Sequence, residues 1–243
     1  VHALRERETV NNLMEEICGA RLTYNYIRIG AVGYDIGPET CTKIGEFVDH
    51  LDPIVDEFNR LLSDNKIFIE RLAGVAVISK EDAFSYNLVG PNLRGSGIQW
   101  DIRRDIPYSV YPELEFEVPI GTAHVGTLGD SFDRYWVRIR EMQESCKILR
   151  QCLKMMPKGP AISKVPRKFR PPAGECYARV EAPRGDMGFY VVSDGSEYPY
   201  RVRIRTGSYT AMSIIDKLSK GIMLADLIAL IGSLDVDAPE IDR

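Results

Sequence analysis

Two long apolar stripes of helical period, followed late in the chain by a switch to strand period, constrain this sequence more than any other feature. The first stripe runs through Ile44, Phe47, Val48, Leu51, Ile54, Val55, Phe58, Leu61 and Leu62 and predicts a helix over about 39–63. Pro53 falls inside it and is expected to bend or divide that helix, because proline removes a backbone donor and clashes with the preceding turn. The second stripe, from Phe132 through Tyr135, Trp136, Ile139 and Leu149 to Met156, predicts a helix over about 130–156. Stripes of this length must bury against each other or against a third helix, so a bundle is the natural core. Shorter helices are expected over 5–18, ending at Gly19, over 65–72 and over 221–232. Ser79 reads as an N-cap, and the short aromatic stretch Leu22–Ile29 reads as strand or extended chain.

Past residue 173 the period becomes two. Tyr177, Val180, Phe189–Val192 and Tyr200–Arg205 are β-type runs, and Asp194-Gly195 is a turn signal between two of them. Arg201, Arg203 and Arg205 alternate with Val202 and Ile204, which places three arginines on one face of a small antiparallel sheet with one wet or partner-facing side. The fold class is therefore α+β, mainly helical. The expected organisation is a helical core over 1–156 with an irregular 89–129 segment, a basic proline-rich linker over 157–173, and a sheet with a last helix over 174–243. Within that linker, 157–172 holds five prolines together with Lys158, Lys164, Arg167, Lys168 and Arg170, and reads as solvated or docked on an acidic partner.

Composition narrows the function classes. With 31 basic and 35 acidic residues in 243, the net charge is −4, which argues against nucleic acid as a partner, since phosphate neutralisation needs a basic excess. The five cysteines have no C-x-x-C spacing and the three histidines are scattered, so these residues assemble no metal site and buried reduced thiols are expected. The apolar run Ile222–Leu234 is shorter than a bilayer span and is interrupted by Asp226, and no signal peptide is legible, so a soluble or partner-anchored chain is expected. No Walker loop and no strand-linked G-x-G-x-x-G is present, and Gly95-Ser96-Gly97 lacks a full nucleophile elbow.

Several stretches, taken together and in order, carry a family resemblance: Gly19–Gly30 (GARLTYNYIRIG), Leu93–Arg103 (LRGSGIQWDIR), Phe116–Gly121 (FEVPIG), Gly129–Tyr135 (GDSFDRY), Glu181–Gly185 (EAPRG), Val192–Gly195 (VSDG), Lys217–Gly221 (KLSKG) and Glu240–Arg243 (EIDR). They resemble the quinone-site subunit of respiratory complex I, the NADH dehydrogenase, and its relatives that oxidise reduced deazaflavin or ferredoxin. The resemblance implies a helix-bundle core similar to the nickel–iron hydrogenase large subunit. It covers only the C-terminal part of the complex I protein. The family's N-terminal sheet domain, with its quinone-facing histidine and tyrosine, is expected before Val1.

The resemblance also implies site residues. The C-terminal loop lines the family's quinone chamber, which assigns Asp235, Val236 and Asp237 to it; Asp237 stands where other members often carry valine, which argues against close quinone contact at that position. In hydrogenases the corresponding end holds nickel through a D-P-C-x-x-C motif, and Asp237 and Glu240 occupy the cysteine positions here. Carboxylates are hard donors where redox nickel requires thiolate, so no nickel is expected. Arg21 and Thr23 fall near the iron–sulfur cluster of a partner subunit, with Thr23 at a position that is often histidine. The implied activity is quinone reduction coupled to proton translocation, within a multi-subunit NADH:quinone oxidoreductase on the cytoplasmic or equivalent face of an energy-transducing membrane. Quinone is the substrate, the four-iron cluster belongs to the partner, and no flavin or NADH is bound by this chain. A membrane-bound hydrogenase-like large subunit and a non-catalytic assembly scaffold are the alternatives.

Overall fold

A computed structural model describes residues 2–166 and 168–242. Val1, the linker's Arg167 and the terminal Arg243 lie outside the described residues. The chain divides into two compact units assembled from discontinuous segments, 1–56 with 145–169 and 57–144 with 170–243. Two of the three boundaries fall inside the long helices α2 (Pro38–Phe58) and α7 (Ser131–Met155), and the third falls in the proline-rich linker, so the units do not follow the linear division expected from the sequence.

The first unit contains α1 (His2–Cys18), the two-residue strands β1 (Ile27–Arg28) and β2 (Ala31–Val32), most of α2 and the end of α7. The expected strand over Leu22–Ile29 thus shrinks to its last part, with Ile27 paired to Val32 and Arg28 to Ala31. Gly30, at φ +71, makes the turn that joins β1 to β2. Pro53 does not divide α2. Arg150 instead anchors this stretch, reaching Asp49 at 2.9 Å, Asp52 at 2.6 Å and the Val48 carbonyl at 3.3 Å. Val48, Ile54, Val55 and Cys146 are buried. On α1 it is Glu6, rather than the apolar stripe, that is buried deepest, with hydrogen bonds from Arg5 at 2.8 Å and with His50 at 3.0 Å. The proline-rich segment is partly pinned: Val32 donates to the Ala161 carbonyl at 3.1 Å and Ser163 to the Gly30 carbonyl at 3.1 Å.

In the second unit, α2 ends in a π-type turn, Asn59–Ser63. Ser63 donates to Asn59 Oδ1 and lies 2.9 Å from the Tyr135 hydroxyl, so this wide turn is tied to α7. Then come α3 (Lys66–Leu72), capped by the Asn65 side chain, and α4 (Lys80–Ser85), capped by Ser79 as its sequence predicts. The 89–129 segment is not irregular throughout. It contains α5 (Gly90–Gly95), α6 (Ile102–Asp105) and a 3-10 turn, Tyr111–Glu113. All six residues of α5 are buried, and Ser96 just after it donates to the Ile78 carbonyl at 2.9 Å. Its order comes from charged side chains. Asp130, ahead of α7, accepts from the Gly74, Thr127 and Asp133 amides at 2.8–2.9 Å, and Asp133 accepts from Ala123 and Gly129. Two acids at a helix N-terminus thereby satisfy loop donors as well as helix donors.

The sheet is antiparallel in the order β3 (Gly174–Ala182), β4 (Gly185–Ser193), β5 (Arg201–Arg205), with Tyr177 opposite Tyr190 and Tyr190 opposite Arg203. Helices α8 (Gly207–Ser213), α9 (Ile215–Leu218), α10 (Leu224–Leu234) and α11 (Ala238–Asp242) complete the unit. Its core joins Ile78, Ala83, Leu88 and Leu93 to Ala211, Ile214, Leu230 and Leu234. Among the described residues no helix is long and apolar enough to cross a membrane.

Candidate functional site

The C-terminal loop is positioned by the end of α10. Asp235 sits there in the left-handed region, φ 52 and ψ 54, a conformation that Asp tolerates better than most residues. The last carbonyls of α10 have no partners within the helix, and side chains from two other helices supply them. Arg138 of α7 donates to the Ser233 carbonyl at 2.7 Å and the Leu234 carbonyl at 3.3 Å, and Asn92 of α5 donates to the Leu234 carbonyl at 3.0 Å. Cations at a helix C-terminus also complement the helix dipole.

A second arginine enters from the β3–β4 turn. Arg184 Nε donates to the Asp235 carbonyl at 2.7 Å. Its backbone reaches this place only because glycines surround it. A Cβ added at Gly90 or Gly207 would meet the Arg184 carbonyl at 2.6 or 2.5 Å. The Asp235 carboxylate, 44% exposed, then lies 3.6 Å from Arg184 Nε and 3.8 Å from Arg138 Nε. Burial pushes the Arg138 guanidinium down from its ordinary range, while Asp235 and Glu141 oppose that.

Asp235, Val236 and Asp237 are consecutive but do different things. Val236 packs against the core, and Asp237 donates its amide to Ser208 Oγ at 3.1 Å. Ser208 donates in turn to Glu240 Oε2 at 2.5 Å, Thr206 donates to the Glu240 carbonyl at 2.7 Å, and Arg184 Nη1 lies 3.5 Å from Glu240 Oε1. The positions that the resemblance matches to the nickel cysteines of the hydrogenase motif therefore present carboxylate oxygen, and that of Glu240 is already engaged by the Ser208 hydroxyl and approached by the Arg184 guanidinium. That donor set does not fit a thiolate-bound redox metal. Among the described residues no group of three or more His, Cys, Asp or Glu side chains could hold a metal ion. Ser208→Ala is expected to free this loop from α8 and to cost about 1–2 kcal/mol, read as a lower melting temperature, because a part-buried carboxylate loses its donor.

Arg21 and Thr23 lie in the first unit, after α1. Arg21 turns back on that helix and donates to Glu8 at 2.5 Å, Asn12 at 2.7 Å and Glu15 at 2.8 Å. The hydrogen bond to Glu15 is the leading reason its affinity for the proton is raised. Thr23 is exposed.

Sequence reasoning missed Arg138, Asn92 and Ser208. For Arg138 a signal existed: Arg134 and Arg138 are four apart on a helix face whose neighbours Phe132 and Val137 are core residues, and arginine on such a face usually caps or pairs.

Similarity to known proteins extends over this loop and over the rest of the chain. The family model for the 49 kDa subunit of respiratory-chain NADH dehydrogenase matches residues 1–171 and 163–243. The chain belongs to this family. Across all of its residues it is 57% identical to a D-type chain of the NADH-quinone oxidoreductase of Anaeromyxobacter dehalogenans, spanning 64% of that protein. It is 55% identical over 99% of its length to the corresponding protein of Sorangium cellulosum, spanning 63% of it, and 43% identical over all of its length to that of Bacillus cereus, spanning 65%. The chain thus spans under two thirds of these 49 kDa-family relatives. Residues 235–240, the turn after α10 with the start of α11 and together called the 235–240 loop, fall inside the matched residues.

Proposed function

We propose that this chain contributes the 235–240 loop to the quinone-reduction site of an NADH:quinone oxidoreductase, whose redox step is coupled to proton translocation. One observation carries the reading. Proteins named for that activity match the chain from end to end at up to 57% identity, including the loop anchored by Arg138, Arg184 and Ser208. The quinone would receive electrons that arrive through an iron–sulfur cluster held by a neighbouring subunit. The chain's own part is to shape the cavity and to offer the half-exposed Asp235 carboxylate beside two guanidinium groups. Such a group can hold a proton or accept a hydrogen bond from a reduced headgroup. Neighbouring subunits of the oxidoreductase would be the partners, with peripheral attachment at the membrane through them. The test is photolabelling of the assembled enzyme with an azidoquinone. Label recovered in the peptide containing Asp235 supports the reading, and label confined to other subunits refutes it.

The same reading places Arg21 and Thr23 near the partner's cluster. Threonine has no proton to exchange near neutral pH, whereas histidine does. The cluster's midpoint potential is therefore expected to be nearly independent of pH in the neutral range, measured by redox-poised electron paramagnetic resonance. A steep slope there would count against the placement of Thr23.

A further inference from the structure

We propose that Arg138 is the positioning residue for Asp235, holding the end of α10 with most of its guanidinium while directing its remaining donor at the Asp235 carboxylate. This rests on the reading of the 235–240 loop as part of the quinone site. Nη1 of Arg138 donates to the carbonyls of Arg134, at 3.0 Å, and Ser233, at 2.7 Å. Nη2 donates to Asn92 Oδ1 at 3.2 Å and to the Leu234 carbonyl at 3.3 Å. Those contacts fix the plane of the guanidinium. Nε is left shielded from solvent without a hydrogen-bond partner, and Asp235 Oδ2, 3.8 Å away, is its ion-pair partner. A shielded donor without an acceptor is unfavourable, so it draws the nearest carboxylate toward it.

Two features make this more than helix capping. Asp235 Oδ2 is approached by Arg138 Nε and by Arg184 Nε, at 3.8 and 3.6 Å, and neither distance is a hydrogen bond. The carboxylate is thus attracted from two sides and oriented, while its oxygens keep free lone pairs for a substrate or water. The left-handed backbone at Asp235 fixes where its side chain leaves the helix end, so a shift of the α10 carbonyls on Arg138 also moves the carboxylate. Arg138 thereby couples the helix terminus to the group that faces the substrate without touching the substrate itself.

The experiment uses the assembled oxidoreductase, NADH as donor and a short-chain ubiquinone as acceptor. Arg138→Met, Arg138→Lys, Asp235→Asn and the two double variants are compared, with electron transfer to a soluble acceptor that bypasses quinone as the control. Arg138→Met is expected to raise the KM for quinone about tenfold with the bypass rate unchanged, and Arg138→Lys, which keeps the charge, about threefold. Asp235→Asn should raise KM as well, and each double variant should be no worse than about twofold beyond its poorer single, because both changes act on one carboxylate. Multiplicative effects, or an Arg138 variant that changes only thermal stability, would overturn the proposal and leave the site reading standing. An unchanged KM in Asp235→Asn would remove the site reading and this inference with it. Where Arg138→Met does not assemble, Arg138→Lys and its double variant test the same coupling.

Discussion

Replacing Arg134 by methionine is expected to cost the fold about 3–5 kcal/mol and to prevent stable accumulation of the subunit. Arg134 is fully buried, and its hydrogen bonds go to carbonyls and hydroxyls rather than to carboxylates. Its donors reach the Ala76 carbonyl at 3.1 Å, the Gly129 carbonyl at 2.7 Å, Ser131 Oγ at 2.9 Å and Ser233 Oγ at 2.9 and 3.1 Å. One side chain therefore joins the Ala76 segment, the loop before α7 and the last turn of α10. Burial, with the charge of Arg138 adding to it, pushes its guanidinium down to about 9. Methionine fills much of the volume but leaves the Ala76 carbonyl and two hydroxyls without donors, and leaves the Gly129 carbonyl with the Ile78 amide alone. Lysine restores the charge but not the fork, and should recover only part of the loss. Soluble yield and melting temperature of the subunit are the readouts. A Met variant that melts within a degree or two of wild type would show that the arginine is dispensable.

Arg94→Met is expected to produce a loss of similar size by a different route, leaving mainly acids, along with the Trp100 carbonyl, without their donor. Arg94 is almost fully buried and meets Glu141 at 2.7 Å, Glu181 at 2.9 Å and Asp101 at 3.4 Å. Removing one partner from such a cluster leaves the others charged in a poorly solvating interior, at about 3–5 kcal/mol. The pH dependence identifies the cause. Burial works to raise the Asp101 carboxyl, but the Arg103 and Arg94 contacts outweigh it and hold that group below its ordinary value. Its stabilisation is therefore present above the ordinary carboxylate range and is lost as pH falls through the folded value. Glu181 behaves oppositely: burial raises it despite Arg94, so its ionisation weighs against the fold as pH rises through the raised value. Without Arg94 both carboxyls protonate more readily. The deficit of Arg94→Met should thus be largest at neutral pH and shrink on mild acidification, with Glu181→Gln relieving part of it in the double variant. A deficit that does not vary with pH would point to lost packing volume instead.

Both arginines lie in stretches that the sequence marks, LRGSGIQWDIR and GDSFDRY, but their role was not legible there. Helical period found α7 to within a residue at each end, because its apolar positions repeat along its whole length. The same signal placed α10 three residues early at its start, because Ile222 and Met223 are apolar although they precede the helix. It failed for 89–129, where order comes from ion pairs and capped amides between residues far apart in sequence, and no periodicity records those. For Leu22–Ile29, aromatic content signalled strand or extended chain, and only Ile27–Arg28 pair, because their partner strand Ala31–Val32 is itself two residues long. The site was legible only through resemblance. Asp235 could be named from the chain's end, but its two guanidinium neighbours arrive from positions 97 and 51 residues earlier in the sequence, a juxtaposition that only the fold creates.

The central claim is that the 235–240 loop faces quinone, and electron cryomicroscopy of the assembled oxidoreductase with a bound quinone analogue tests it most directly. Headgroup density is expected against the loop, within hydrogen-bond reach of Asp235 directly or through one water, with Arg138 and Arg184 still flanking the carboxylate. Density for the headgroup at a site that this loop does not line would contradict it.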